Sequence, residues 1–323
     1  MANWLVTGGA GYIGAHVVDA LDKQGEQAVV LDDLSTGLRE RAADAVFVEG
    51  TILDEELVRR VLRDNDVQGI IHIAAKKQVG ESVEKPLLYY DQNVVGTLRL
   101  LSAAVAEGVS SFVFSSSAAT YGMPDADVVT EDMAGKPLSP YGMSKLIGEF
   151  ASRDVAAASG LRVMSLRYFN VAGAARPELG DPGVFNLIPL VFQALEAGEP
   201  PRVFGDDYPT PDGTCIRDYV HVADIADAHV AALQTLSKDG DAASYREYNV
   251  GRGEGTSVRQ VIDVVADVTG RDIQPKVVDR RPGDPARIVG SVEAINRDLG
   301  WSARYDLQEM VESAWQAWQH QRS

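Results

Sequence analysis

The chain has 323 residues, 45% hydrophobic and 24% charged, which excludes a disordered, collagen-like or disulfide-scaffold protein and points to about two domains or one large α/β unit. With 47 acidic and 30 basic side chains the net charge is −17, which argues against nucleic acid or an anionic membrane as partner, since those are bound with basic patches. No apolar run approaches the roughly 18 residues of a membrane helix. The single Cys215 has no partner for an internal disulfide, and no Cys or His cluster has metal-ligand spacing. No Lys or Arg precedes Lys23, and Gly8, Gly9, Gly11 and Gly14 interrupt the apolar start, so a secretory leader is not expected and the natural setting is a reducing cytoplasm.

In chain order, short apolar runs at 4–7, 28–32, 46–49, 69–74, 112–116 and 161–168 alternate with longer amphipathic stretches, the pattern of βαβ units in a doubly wound parallel sheet. Ile13, Val17 and Leu21 recur every four residues, and Val94, Leu98 and Leu101 share a helical face, so both segments are expected to pack on the sheet. After Asn170 glycine and proline become frequent, as in a loop-rich unit. The division expected is a Rossmann-type domain at 1–170 and a smaller, discontinuous α+β domain at 171–217 and 252–323. The helical pattern at 222–236 and the strand pattern at 248–251 place 218–251 back in the first domain.

The first strand runs into Gly8-Gly9-Ala10-Gly11-Tyr12-Ile13-Gly14. Such a turn suits a dinucleotide pyrophosphate: Gly8 permits a tight bend, Gly11 lets backbone N–H groups approach the phosphates, and Gly14 allows close helix packing. The spacing is Gly-x-x-Gly-x-x-Gly, and an ordinary strand-to-helix turn would read the same way. The second strand, however, ends in Asp32-Asp33, about 20 residues on, where a carboxylate can accept from an adenosine ribose and repel a 2′-phosphate. That favours NAD over NADP.

Further on come Ser115-Ser116-Ser117 and then Ser139-Pro140-Tyr141-Gly142-Met143-Ser144-Lys145. A Ser cap followed by Pro starts a helix, which puts Tyr141 and Lys145 on one face. A neighbouring ammonium favours the phenolate, so Tyr141 can take a proton from a sugar hydroxyl while Ser117 holds the same oxygen.

These motifs resemble the extended short-chain dehydrogenase/reductase superfamily. The segments Val79-Gly80-Glu81-Ser82, Lys85-Pro86-Leu87, Tyr89-Tyr90-Asp91, Arg167-Tyr168-Phe169-Asn170, Asp206-Asp207-Tyr208-Pro209-Thr210, Asp212-Gly213-Thr214, Arg217-Asp218-Tyr219 and Arg280-Arg281-Pro282-Gly283-Asp284 are similar to those of the UDP-glucose 4-epimerases within it, over essentially the whole chain. The resemblance implies bound NAD, UDP-galactose and UDP-glucose as substrates, and a homodimer. It implies an NAD site made of Gly8, Gly11, Tyr12, Ile13, the loop of Asp32, Asp33, Leu34, Ser35, Thr36 and Gly37, then Thr51, Ile52, Ile73, Ala74, Ala75, Lys77, Asn93 and Phe169. Ser117, Tyr141 and Lys145 are implied as the catalytic group, in contact with both ligands. The UDP-sugar falls to Asn170, Asn186, Leu187, Arg202, Val203, Phe204, Arg217, Arg281, Asp284 and Ile288, the last standing where the family has a wall near the hexose C2 substituent.

Arg217 and Arg281 are cations suited to a diphosphate, and the competing reading is that they neutralise nearby acids such as Asp218 and Asp284. Two positions depart from the family pattern, Thr51 in place of an acid near adenine and Asp33 in place of an asparagine near the ribose. Related dehydratases and decarboxylases carry an acid directly after the active-site Ser or Thr. Here Ala118 and Ala119 follow Ser117, and neither moves a proton, which leaves oxidation and re-reduction at C4 as the reaction implied. Other UDP-sugar 4-epimerases and a non-catalytic NAD-binding sensor are the alternatives, the latter opposed by the intact Ser117, Tyr141 and Lys145.

Overall fold

A computed structural model describes residues 3–238, 244–281 and 283–322. The first half follows strand β1 (Asn3–Thr7), helix α1 (Tyr12–Lys23), β2 (Gln27–Asp32), β3 (Val46–Glu49), α2 (Glu55–Asp64), β4 (Val67–His72), α3 (Val79–Glu84), α4 (Pro86–Tyr89), α5 (Gly96–Ala106), β5 (Ser111–Ser117), α6 (Pro140–Ser159) and β6 (Arg162–Tyr168). The second half runs through β7 (Asn170–Ala172), α7 (Leu187–Ala197), β8 (Arg202–Phe204), β9 (Ile216–His221), α8 (Val222–Leu236), β10 (Tyr245–Val250), β11 (Gly255–Ser257), α9 (Val258–Thr269), β12 (Lys276–Val278), β13 (Arg287–Ile288), α10 (Glu293–Leu299) and α11 (Leu307–His320).

Seven strands form one sheet in the order β10-β6-β5-β4-β1-β2-β3, parallel throughout. The chain leaves β1 on one side for β2 and β3 and returns on the other for β4, the reversal at which a Rossmann-type sheet opens a crevice beyond its strand ends. Its strands are apolar almost continuously because both faces are covered. Alternate residues divide between the faces: Trp4, Val6 and Val30 join one core with α1 and α8, while Leu5, Val29 and Leu31 join another with α2 and α5.

The remaining strands build smaller layers. β9 pairs with β7, β11 and β13, and β8 pairs with β12. Their core is shared with α7, α9 and α11 through Phe192, Val203, Val261, Ile262, Met310 and Trp318. Among the described residues no helix is long and apolar enough to cross a membrane.

One helix departs from its sequence pattern. Val94, Leu98 and Leu101 do not share a buried face: Leu98 is 47% exposed, and the residues turned inward are Asn93, Thr97, Leu100, Leu101 and Ala104. A turn of π-helix at Tyr90–Val95 inserts an extra residue ahead of α5 and rotates the face that follows.

Candidate active site

The site begins where β1 ends. Gly8 has φ +72, and a Cβ there would lie 2.8 Å from the Ala74 backbone nitrogen; a Cβ on Gly14 would lie 2.0 Å from the Gly8 carbonyl oxygen. Both positions therefore require glycine, and the bend they allow points the start of α1 into the crevice. Gly11 caps that helix with no side-chain hydrogen bond, so its first N–H groups face outward with the positive end of the helix dipole behind them. A groove of about 360 Å³ opens there, lined by Gly8, Gly11, Tyr12 and Ile13. The donor set fits a dinucleotide pyrophosphate.

Along the groove, Asp32 is 7% exposed and its carboxylate accepts from Ala10 N (3.0 Å) and Leu34 N (2.8 Å). Burial raises its pKa, against those two hydrogen bonds. Leu34 pays for the bend with φ +54, a left-handed conformation uncommon outside glycine. Asp33 Oδ1 accepts from Ser35 N, and Leu38 N closes the loop past Gly37 onto the Ala10 carbonyl. Asp33, Ser35, Thr36, Thr51, Ile52, Ile73, Ala74, Ala75 and Lys77 all line the groove. Asn93 does not. It is 3% exposed and grips the backbone of Lys76, accepting from its N–H (2.8 Å) and donating to its carbonyl (3.0 Å), with a further bond to Ser144 Oγ. It acts on the groove only through that backbone. Phe169 packs instead in a small apolar cluster with Tyr121 and Val129.

Ser139 caps α6, its hydroxyl accepting from Gly142 N, and the helix runs 20 residues from Pro140. Tyr141 and Lys145 reach the groove wall. Lys145 is 5% exposed and donates from Nζ to the Ser115 carbonyl at 2.7 Å. Burial lowers its pKa to about 8, with the Glu149 carboxylate pulling the other way. The Tyr141 phenol is raised by burial and drawn back by a hydrogen bond from Ser117. Burial outweighs the Ser117 contact, so the phenolate is disfavoured before any ligand binds, and the Lys145 ammonium is turned to the Ser115 carbonyl.

The second unit brings its polar residues together from separate segments. Asn170 pairs with Tyr219 across β7 and β9, and both line a small cavity with Asn186 and Leu187. Arg217 forms an ion pair with Asp284, one of the two readings the sequence left open, while Asp218 is satisfied by the N–H groups of Arg252, Gly253 and Gly290. Arg281 lies 3.7 Å over the ring of Phe204. Ile288 pairs with Arg217 in register. Arg202 is exposed, and the Val203 side chain is in the core of this unit.

The model of the NAD dependent epimerase/dehydratase family matches residues 4–251. The chain belongs to this family. It is 48% identical over 316 residues to the UDP-glucose 4-epimerase of Azospirillum brasilense, covering 96% of this chain and 90% of that one. Among solved structures, it is similar to the UDP-glucose 4-epimerase of Stenotrophomonas maltophila with bound NAD and formylated UDP-arabinopyranose (TM-score 0.95, 38% identity, all of both chains). It is likewise similar to that of Brucella ovis in complex with NAD (TM-score 0.92, 41% identity, 97% of each chain).

Beyond the residues the sequence pointed to, this epimerase-family groove is also lined by Lys76, Gln78, Glu81, Tyr168, Asp181 and Phe185. Asp181 borders both the groove and the small cavity. Arg41, 5% exposed, donates to the Gly180 carbonyl at 2.6 Å and so ties the loop carrying Asp181 to the nucleotide side. No periodic signal marks that loop.

Proposed function

We propose that this chain interconverts UDP-galactose and UDP-glucose through a transient 4-keto sugar, with NAD kept in the groove. The observation that carries this reading is the placement of Tyr141, held by Ser117, at the cofactor groove, with only Ala118 and Ala119 where a further proton carrier would stand. NAD, when bound, supplies the chemistry by accepting a hydride from the sugar C4 and giving it back. Everything else falls to the protein. Tyr141 accepts the 4-hydroxyl proton and later returns it, Ser117 holds the oxygen, and Lys145 supplies the positive charge that favours the phenolate. Arg217 and Arg281 take the diphosphate, and Asn170, Asn186, Leu187 and Phe204 surround the rest of the nucleotide sugar, with Ile288 as the wall. The 4-keto sugar must present its other face before the proton and hydride return, so inversion needs no second base.

The cofactor half is assigned to 1–170 with 218–251, and the substrate half to 171–217 with 252–323, although β9 runs across the 217/218 boundary to pair with β7, β11 and β13, and Ile295 and Trp301 pack in the core of the first half. The working unit is a homodimer, supported by exposed Val83, Leu87, Val95, Leu98 and Phe150 on α3, α4, the π turn, α5 and α6, the other four elements all packing against α6; Leu87 is 82% exposed. The compartment is the cytoplasm, in keeping with a lone, buried Cys215. The function is tested by incubating the purified protein with UDP-galactose and no added cofactor. UDP-glucose is the expected product, and its absence from folded, NAD-containing protein refutes the reading.

A further inference from the structure

The three serines that end β5 each engage a different residue of α6. The Ser115 carbonyl takes Lys145 Nζ (2.7 Å), Ser117 bonds Tyr141, and between them Ser116 Oγ donates to Glu149 Oε1 at 2.5 Å. Tyr141, Lys145 and Glu149 stand at intervals of four on one helical stripe, and Glu149 is 1% exposed. Its carboxylate is also gripped by Arg167 on β6, from Nε to Oε1 (2.9 Å) and from Nη2 to Oε2 (2.8 Å). Ser116 and Arg167 are register partners in the sheet, so Glu149 is clamped to two neighbouring strands at one level.

We propose that Glu149 is a positioning residue of the reaction: its clamp onto Ser116 and Arg167 fixes the height and rotation of α6 over the sheet, and with it the placement of Tyr141 and Lys145 at the groove. The inference rests on the assignment of Tyr141 and Lys145 above. Stability alone does not call for such a pair, because a buried ion pair is often replaced by apolar side chains at no loss. A slip of α6 by one residue would move its atoms along the axis by about 1.5 Å. Misplacement by about 1 Å is enough to cost a catalytic group much of its effect.

The charges around Glu149 are few. Lys145 and Arg153 stand four residues either side of it on its own helix, Arg153 paired with Glu247 at 3.1 Å, and Arg167 faces it from β6. Tyr245 and Glu247 approach from β10, the latter 4.0 Å from the Arg167 guanidinium. Tyr121 Oη and the Glu131 carbonyl accept the remaining Arg167 donor at 2.9 and 3.0 Å, and the Glu131 carboxylate accepts from Asn249 N. Around Lys145, the ring of Phe114 lies 5.2 Å away and His72 is held neutral, its pKa lowered by burial to about 3. Glu149 is thus the carboxylate that bears on Lys145, and its removal lets the Lys145 pKa fall further below about 8.

The test compares Glu149→Gln with the double variant Glu149→Leu/Arg167→Leu, measuring melting temperature, NAD content, kcat and KM across pH. Both variants are expected to keep NAD and a near-normal KM. Their kcat should fall at least about tenfold, and the alkaline limb of log kcat should move to lower pH. The double variant should melt closer to the wild type than Glu149→Gln, because the Arg167 guanidinium is removed together with its carboxylate partner. Wild-type pH profiles in the folded variants, or loss of fold in both, would overturn the inference. Tyr141→Phe run alongside separates the two levels: if it stays active the assignment of the base fails, whereas an inactive Tyr141→Phe with unshifted Glu149 profiles sinks only the positioning role.

Discussion

The two halves of the site are built by different means. The nucleotide half comes from continuous stretches at the ends of parallel strands, where Gly8 to Gly14, Asp32 to Gly37 and Ile73 to Lys77 follow β1, β2 and β4 directly. The proposed sugar half is gathered from Asn170, Asn186, Phe204, Arg217, Arg281 and Ile288, each on a separate short strand or loop, and its charges answer one another: Arg217 is paired with Asp284. A groove made at the ends of paired strands has its backbone donors fixed by the sheet's hydrogen bonds, whereas a cluster of paired side chains can exchange an internal partner for a ligand. Substitutions in the first half should therefore change cofactor content, and those in the second should change KM with the cofactor still in place.

Tyr141 stands where the halves meet, and Tyr141→Phe has the largest expected effect. Loss of acid/base help is worth about a hundred- to ten-thousand-fold, so kcat should drop by that factor with NAD content and UDP binding intact, read by steady-state rates and by nucleotide released on denaturation. Near-normal turnover would assign the base elsewhere. Gly14→Ala sharpens the nucleotide side. The new Cβ would clash with the Gly8 carbonyl, and overpacking of this kind costs typically about 1–3 kcal/mol. Bound NAD per chain should fall by about tenfold or more while UDP binding survives, and undiminished NAD would show that the turn does not hold the pyrophosphate. Arg217→Ala probes the other half. A charge-assisted hydrogen bond is worth about 1.5–3 kcal/mol, so KM should rise about ten- to a hundredfold with NAD content unchanged. Cofactor loss in this variant would break the division drawn above.

The smallest effect concerns the wall. Ile288 is β-branched, with one preferred rotamer, and borders the cluster of Tyr121, Val129 and Phe169. The account expects UDP-glucose and UDP-galactose as the main pair and weak turnover of UDP-N-acetylglucosamine, which Ile288→Tyr should lower and Ile288→Ala raise by a few-fold. Equal substrate ratios in all three proteins would make Ile288 a packing residue only.

The sequence disclosed the parts of the site that obey a local rule. The glycine turn, the acid ending β2, and the Ser139-Pro140 start of α6 each follow from backbone sterics or capping within a few residues. It concealed the parts that depend on distant neighbours. In sequence Glu149 is indistinguishable from any helical acid, because its partner Arg167 lies 18 positions on. Asp181 and Phe185 sit in a loop without periodicity and line the groove, the loop being tied down by Arg41, which donates to Gly180 from 139 positions earlier, and by the Lys77–Asp181 ion pair. Periodicity makes Leu98 a core residue because it assumes an unbroken helix, and the π turn at Tyr90–Val95 breaks that assumption where Asn93 grips Lys76.

The central claim is that C4 is inverted by oxidation and re-reduction inside one closed site, with the hydrogen held and returned. UDP-galactose carrying deuterium at C4 tests this most directly. Incubated with the purified protein in ordinary water and no added cofactor, it should give UDP-glucose that retains the deuterium at C4. UDP-glucose with the label lost to solvent would mean that the C4 hydrogen leaves as a proton, and would contradict the account.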